Sequence, residues 1–154
     1  MDVRSFLDKD CTKMHKIDRK TQTQRQLRVS EQIRHALAWV FERGEMRDPE
    51  LNGIVITITE VRISPDLRNA TVFIFLRDHS DSTQVKRVLS VLSKASPFLR
   101  KRVAENVYLK KTPKLTFCVD NSFDNAIYVN NLLSKPLVAR DLKKNKNQDS
   151  VDEL

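Results

Sequence analysis

The sequence predicts an α+β fold, a two-layer sandwich in which helices cover one side of a small sheet. Three observations carry that expectation. Two runs rich in β-branched residues, IVITITEVRIS and NATVFIFL, alternate with period two. Two other stretches, residues 25–43 and 85–103, repeat their apolar residues at helical spacing. The order of the patterns is helix, strand, strand, helix pair, strand, short helix, which segregates into two layers around one core. With 154 residues, 40% of them hydrophobic, the chain can bury one such core. One domain over residues 25–134 is expected, between a flexible arm (1–24) and a disordered charged tail (135–154).

In the first helix Val29, Ile33, Leu37 and Val40 form one stripe, widened by Ala36 and Phe41. Arg25, Arg28, Glu31, Gln32 and Arg34 lie away from its centre. Gly44 is placed to end the helix, and Asp48-Pro49 turns the chain out of it. Trp39 is expected to pack its indole against the sheet, an exposed stacking platform being the alternative. His35 has no ligand partner at a useful offset and is expected to be structural.

Ile54, Ile56 and Ile58 share one face of the first strand, but after Glu60 the alternation passes to Val61 and Ile63. A bend or bulge is expected there. Ser64-Pro65-Asp66 is a turn, proline presetting its second position. Ala70, Val72, Ile74 and Leu76 then face one way on the returning strand, and Thr71, Phe73 and Phe75 the other. The pair reads as an antiparallel hairpin.

After a polar loop at 77–82, Asp81, Ser82 or Thr83 can cap the helix pair. Val85, Val88, Leu89 and Leu92 make one apolar stripe, and Leu99 and Val103 another. Pro97 divides them, because it has no N–H to donate and its ring clashes with a continuing helix. The predicted bend is Ala95-Ser96-Pro97. Lys101 falls roughly opposite Leu99 and Val103, with Arg100 and Arg102 flanking. LTFCV, residues 115–119, is a third strand, reached by a connection long enough for a crossover, so a mixed sheet is expected. Asp120-Asn121-Ser122 ends it and can cap a short helix containing Ile127, Leu132 and Leu133.

The formal charge of +8 points toward a polyanionic partner. From residue 82 to 118 the cations are Lys86, Arg87, Lys94, Arg100, Lys101, Arg102, Lys110, Lys111 and Lys114, against Glu105 alone. A bent helix pair with that imbalance presents a surface for phosphates. Candidate RNA contacts are Arg87, Lys94, Ala95, Ser96, Pro97, Arg100, Lys101, Arg102, Lys110 and Lys111. Aromatic content is only 6%, not interleaved with the lysines, which favours shape and backbone recognition over base readout. A protein-interaction module, binding in a salt-tolerant way, is the alternative.

With two glycines the chain has no phosphate-cradling loop, and it contains neither H-E-x-x-H nor G-x-S-x-G. His15, His35 and His79 share no metal-ligand spacing, and Cys11 and Cys118 are expected to be reduced thiols rather than a zinc site or disulfide. Asp66 and Asp120, both at strand ends, are better explained as turn and capping carboxylates than as an acid/base pair. No cofactor, metal or enzymatic activity is expected. No apolar run approaches the ~20 residues of a membrane span, and MDVRSFLDKDC lacks the apolar core of a signal. A cytoplasmic protein without a membrane partner is expected, monomeric by default at this size.

Four segments together resemble the ribosome-binding factor A family: RQLRVSEQIRHAL, TITEVRISPDLRNATVFI, SKASPFLRKRV and PKLTFCVDNS. The V-x-I-S-P-D-L-R-x-A string, residues 61–70, is long and in the correct order relative to the others. The resemblance spans about residues 25–133. It implies a type II KH-like domain whose G-x-x-G loop is replaced by a helical kink with an Ala-x-Gly pattern. It also implies binding to the immature 30S ribosomal subunit, a role in late maturation of 16S rRNA including its 5′ region, and importance for growth in the cold. On this chain the kink is Ala95-Ser96 followed by Pro97, where the family usually has glycine.

Overall fold

The structure, a computed structural model, describes residues 21–77 and 81–134. Residues 1–20 and 135–154, where the arm and tail are expected, lie outside the described residues, as does His79. Two compact units divide after Asp120. The first holds α1 (Gln24–Glu42), β1 (Ile56–Ile63), β2 (Asn69–Leu76), α2 (Ser82–Lys94), α3 (Ser96–Asn106) and β3 (Lys114–Val119), and the second holds α4 (Ser122–Leu133).

Both ends of α1 are secured by side-chain and backbone chemistry. At its start the Thr23 hydroxyl accepts from the Gln26 N–H while the Gln26 carboxamide oxygen accepts from the Thr23 N–H, a reciprocal capping box. The Gln26 amide nitrogen then donates to the Ile63 carbonyl at 3.1 Å, tying the helix to the end of β1. At its end Gly44 adopts φ 63, a left-handed conformation that other residues enter only at a cost. The Gly44 N–H donates to Phe41 O and the Glu45 N–H to Val40 O, a Schellman cap that fixes where Glu45 stands.

β1 and β2 are antiparallel, and the register shifts between Ile58 and Glu60, leaving Thr59 as the extra residue. That bulge reverses which residues face inward. Ile58 opposes Ile74, Val61 opposes Val72 and Ile63 opposes Ala70, so odd and even positions reach the same core. The hairpin closes through Ser64-Pro65-Asp66: the Leu67 N–H donates to Ser64 O at 2.9 Å, and Leu67 takes φ 58. β3 joins β2 in parallel, from Asn69 opposite Lys114 to Ile74 opposite Val119, so the sheet is mixed, in the order β1-β2-β3.

The core lies between this sheet and the three helices: Ile33 and Leu37 from α1, Val72 and Ile74 from β2, Leu92 from α2, and Leu99 and Val103 from α3 are essentially inaccessible. The helices cover one face, as expected. Thr71, Phe73 and Cys118, on the other face, are nevertheless buried too. There the Arg62 guanidinium lies 4.9 Å from the Phe73 ring centroid while bonding Glu60 through two nitrogens. Cys118, expected as a reduced thiol, is disulfide-bonded in the structure. Standing in no C-x-x-C pair, Cys118 carries no local sequence signal of that bond.

In the second unit α4 has Asn121 at its N-cap, and no side chain caps it, so the expected cap from the Asp120-Asn121-Ser122 run does not form. At the other end the Ser134 hydroxyl donates to the Asn130 carbonyl, and Val129 and Leu133, four apart, are exposed.

Candidate nucleic-acid interface

The helix pair is built from Asp81 onward. The Asp81 carboxylate accepts from the Thr83 N–H at 3.0 Å and caps α2. Val88, Val91 and Leu92 face the core. Successive residues turn by about 100°, which carries Lys86, Arg87 and Lys94 to the far side, and all three are exposed. The chain stays helical through Ala95, whose N–H donates to Val91 O and whose carbonyl accepts from Leu99 N–H. Pro97 has no N–H to return to the Ser93 carbonyl, so α2 and α3 are separate helices meeting at Ala95. Pro97 is exposed, and Ala95 and Ser96 are half-buried beneath it.

The Arg100-Lys101-Arg102 triplet divides. Leu99 and Val103 bury the inner face of α3, and the two arginines flank it. Arg100 turns to one side, donating from Nε to the Pro113 carbonyl at 3.1 Å and from Nη2 to the Thr112 carbonyl at 3.0 Å. It ties α3 to the loop before β3. Arg102 turns to the other side, with Nε 2.9 Å from Glu45 and Nη1 3.0 Å from Glu105. The Glu45 contact is an ion pair rather than a well-aligned hydrogen bond. The same guanidinium lies 5.4 Å from the Phe98 ring centroid. Lys101, between them, is exposed.

Lys110 and Lys111 are exposed in the loop from α3 to β3. At its end the Lys114 N–H donates to the Arg68 carbonyl, setting this loop beside the β1–β2 turn. Arg68 and Lys114 are exposed there too. Tyr108, fully exposed at the head of the loop, stands directly before Leu109-Lys110-Lys111, a neighbourhood of cations that is the only sign of it in the sequence. Trp39 is 56% exposed, so the expectation of an indole packed on the sheet is corrected. It sits about 120° from the middle of the buried stripe of α1 on a helical wheel, a placement already present in the residue spacing. His35 is exposed at the surface, 3.8 Å from Glu31.

The two candidate carboxylates are committed elsewhere. Asp66 accepts from the Ser64 hydroxyl and from the Arg68 N–H. Asp120 accepts from the Thr59 hydroxyl at 2.6 Å, pinning the bulge to the end of β3. Asp66 lies at the Asn69/Lys114 end of the sheet and Asp120 beyond Val119, roughly 17 Å apart by strand rise, so they do not form a pair. Among the described residues no group of three or more His, Cys, Asp or Glu side chains is arranged to hold a metal. No helix among them is long and apolar enough to cross a membrane.

The sequence model of the family described as ribosome-binding factor A matches residues 25–133. A ribosome-binding factor A of Rhodospirillum rubrum is 56% identical over 123 residues, covering 80% of this chain and 73% of its own. One from Paramagnetospirillum magneticum is 49% identical over 123 residues, covering 80% and 84%. The crystal structure of ribosome-binding factor A from Thermus thermophilus superposes with a TM-score of 0.50 at 26% identity, over 61% of this chain and 94% of that one. The solution structure of a Thermotoga maritima protein, 24% identical over 64% of this chain and 89% of its own, shares the fold with a TM-score of 0.54. A KH-like sandwich with a helix pair broken at Ala95, matched by sequence along nearly all of its described length, places the chain in a family: it belongs to the ribosome-binding factor A family.

Proposed function

We propose that the protein binds the immature 30S ribosomal subunit by docking the outer face of α2 and α3 on 16S rRNA, and assists late maturation without performing chemistry. The observation that carries this reading is the outer face itself. Arg87, Lys94 and Lys101 are exposed around the break at Ala95, and the one acid on the two helices, Glu105, is held by Arg102. Family membership supports the identity of the partner. The binding body is assigned to residues 25–134, acting as a monomer in the cytoplasm, with Lys110 and Lys111 adding charge from the neighbouring loop.

Arg100 and Arg102 are the wrong residues for the test, since both hold the fold together. The informative variant is Arg87→Glu/Lys94→Glu/Lys101→Glu. Sedimentation with 30S subunits across a salt series should show binding that weakens by roughly 0.7 to 0.9 log units per phosphate contact for each decade of salt. The variant should lose most of it. Binding indifferent to both salt and charge reversal sinks this mechanism and moves the contact to a protein interface.

A further inference from the structure

The groove between α1 and α3 carries features that phosphate docking does not require. Trp39 leaves more than half its surface open, although the Arg43 guanidinium lies 4.4 Å from its ring centroid. The Arg43 guanidinium covers one ring face and lines the same groove, and more than half of the indole's surface stays open beside it. The indole opens onto a groove of about 560 Å³, within the size range of ligand sites. Gln32, His35 and Asn106 also line it, all exposed. The Asn106 amide nitrogen donates one hydrogen to the Arg102 carbonyl, which leaves its oxygen as an acceptor and its second hydrogen as a donor.

We infer that this groove receives one unstacked nucleobase of the bound RNA, stacked on Trp39 and met at its edge by Gln32, His35 and Asn106. Arg43 and Arg102 are balanced by Glu45 and Glu105 along its lining, so the groove has little net charge with which to seize a phosphate. What it offers is a π face backed by a cation and a rim of hydrogen-bonding groups, the chemistry that recognises a splayed base. An apolar peptide side chain would find only Ala36 and Val40 beside the indole and would leave the polar rim unsatisfied. This inference rests on the proposal that the protein binds RNA.

Trp39 is the chain's one tryptophan, so its emission reports this groove alone. The full-length protein is titrated with a short single-stranded oligoadenylate carrying a terminal dye, following tryptophan emission and dye anisotropy together. Saturable quenching is expected. Trp39→Ala should weaken oligonucleotide binding about 5- to 150-fold, with Trp39→Phe between it and the wild type. Trp39 lies outside the core, so both variants should keep the native circular dichroism. Lys94→Glu/Lys101→Glu should lower affinity yet keep the full quench at saturation. Anisotropy that rises while emission and the Trp39→Ala affinity stay unchanged overturns the groove site and leaves RNA binding standing. No binding of either oligoadenylate or 30S overturns both readings. Loss of 30S binding in Trp39→Ala without any oligoadenylate quench assigns the groove to a protein and overturns the inference.

Discussion

Asp66 organises the hairpin tip through one oxygen. It accepts from the Ser64 hydroxyl and the Arg68 N–H, and the Ser64 hydroxyl in turn accepts from the Asn69 N–H at 3.0 Å. This lets Leu67 hold its left-handed conformation, which costs a non-glycine residue about 1–2 kcal/mol. The Ser64 hydroxyl, and after it the Arg68 N–H, hold the Asp66 carboxyl below its ordinary value of 3.8. A depressed folded value means that the stabilisation is fully present above 3.8 and lost as pH falls through the lower folded value. Asp66→Asn should therefore melt below the wild type at neutral pH, and the gap should close in acid well below 3.8, as read by thermal denaturation at both. A gap that persists in acid would show that the carboxylate's charge is not the cause. At this scale the sequence was half legible. Turn chemistry announced itself in Ser64-Pro65-Asp66, whereas the backbone of Leu67 and the exposure of Trp39 depend on which neighbours the fold supplies.

The elements were the most legible level, because each is governed by local rules. β-branched alternation marked the strands, the apolar stripes marked the helices, and Pro97 marked the break between α2 and α3. Partners across elements were not legible: nothing in the spacing of Arg100 and Arg102 reveals that one meets the carbonyls of Thr112 and Pro113 and the other meets Glu45. Gly44 links these levels, since its left-handed cap on α1 sets the next residue, Glu45, against α3. A Cβ placed at Gly44 meets nothing within 4 Å, so the cost of Gly44→Ala is conformational. It should lower stability by about 1–2 kcal/mol, measured as a lower urea midpoint with unchanged slope. An unchanged midpoint would mean that the cap carries no stability.

For the molecule as a whole, the surplus of positive charge raises the expectation of a polyanion-facing surface but says nothing of how the cations are laid out. The fold distributes the cations: one group on the outer side of α2 and α3, another on the loop beside the β1–β2 turn, and two arginines, Arg100 and Arg102, engaged at the flanks of α3 as braces. The parallel pairing of β2 with β3 has a further consequence, in time rather than space. β1 and β2 meet through a short turn, from Ile63 opposite Ala70, but Asn69 meets Lys114 only after the whole of α2 and α3 has been traversed. Closing that long loop is the slow, entropically costly step in such topologies. α2 and α3 belong to the closing segment, so their final positions are reached only as β3 docks. Truncating Phe117 on β3 should slow refolding in proportion to the stability it removes, while truncating Leu51 ahead of β1 should mainly speed unfolding, as stopped-flow chevrons would show. The reverse pattern would place the commitment to fold elsewhere in the chain. A nascent protein of this design completes the outer face of α2 and α3 last, and until then the cations on that face have no fixed arrangement.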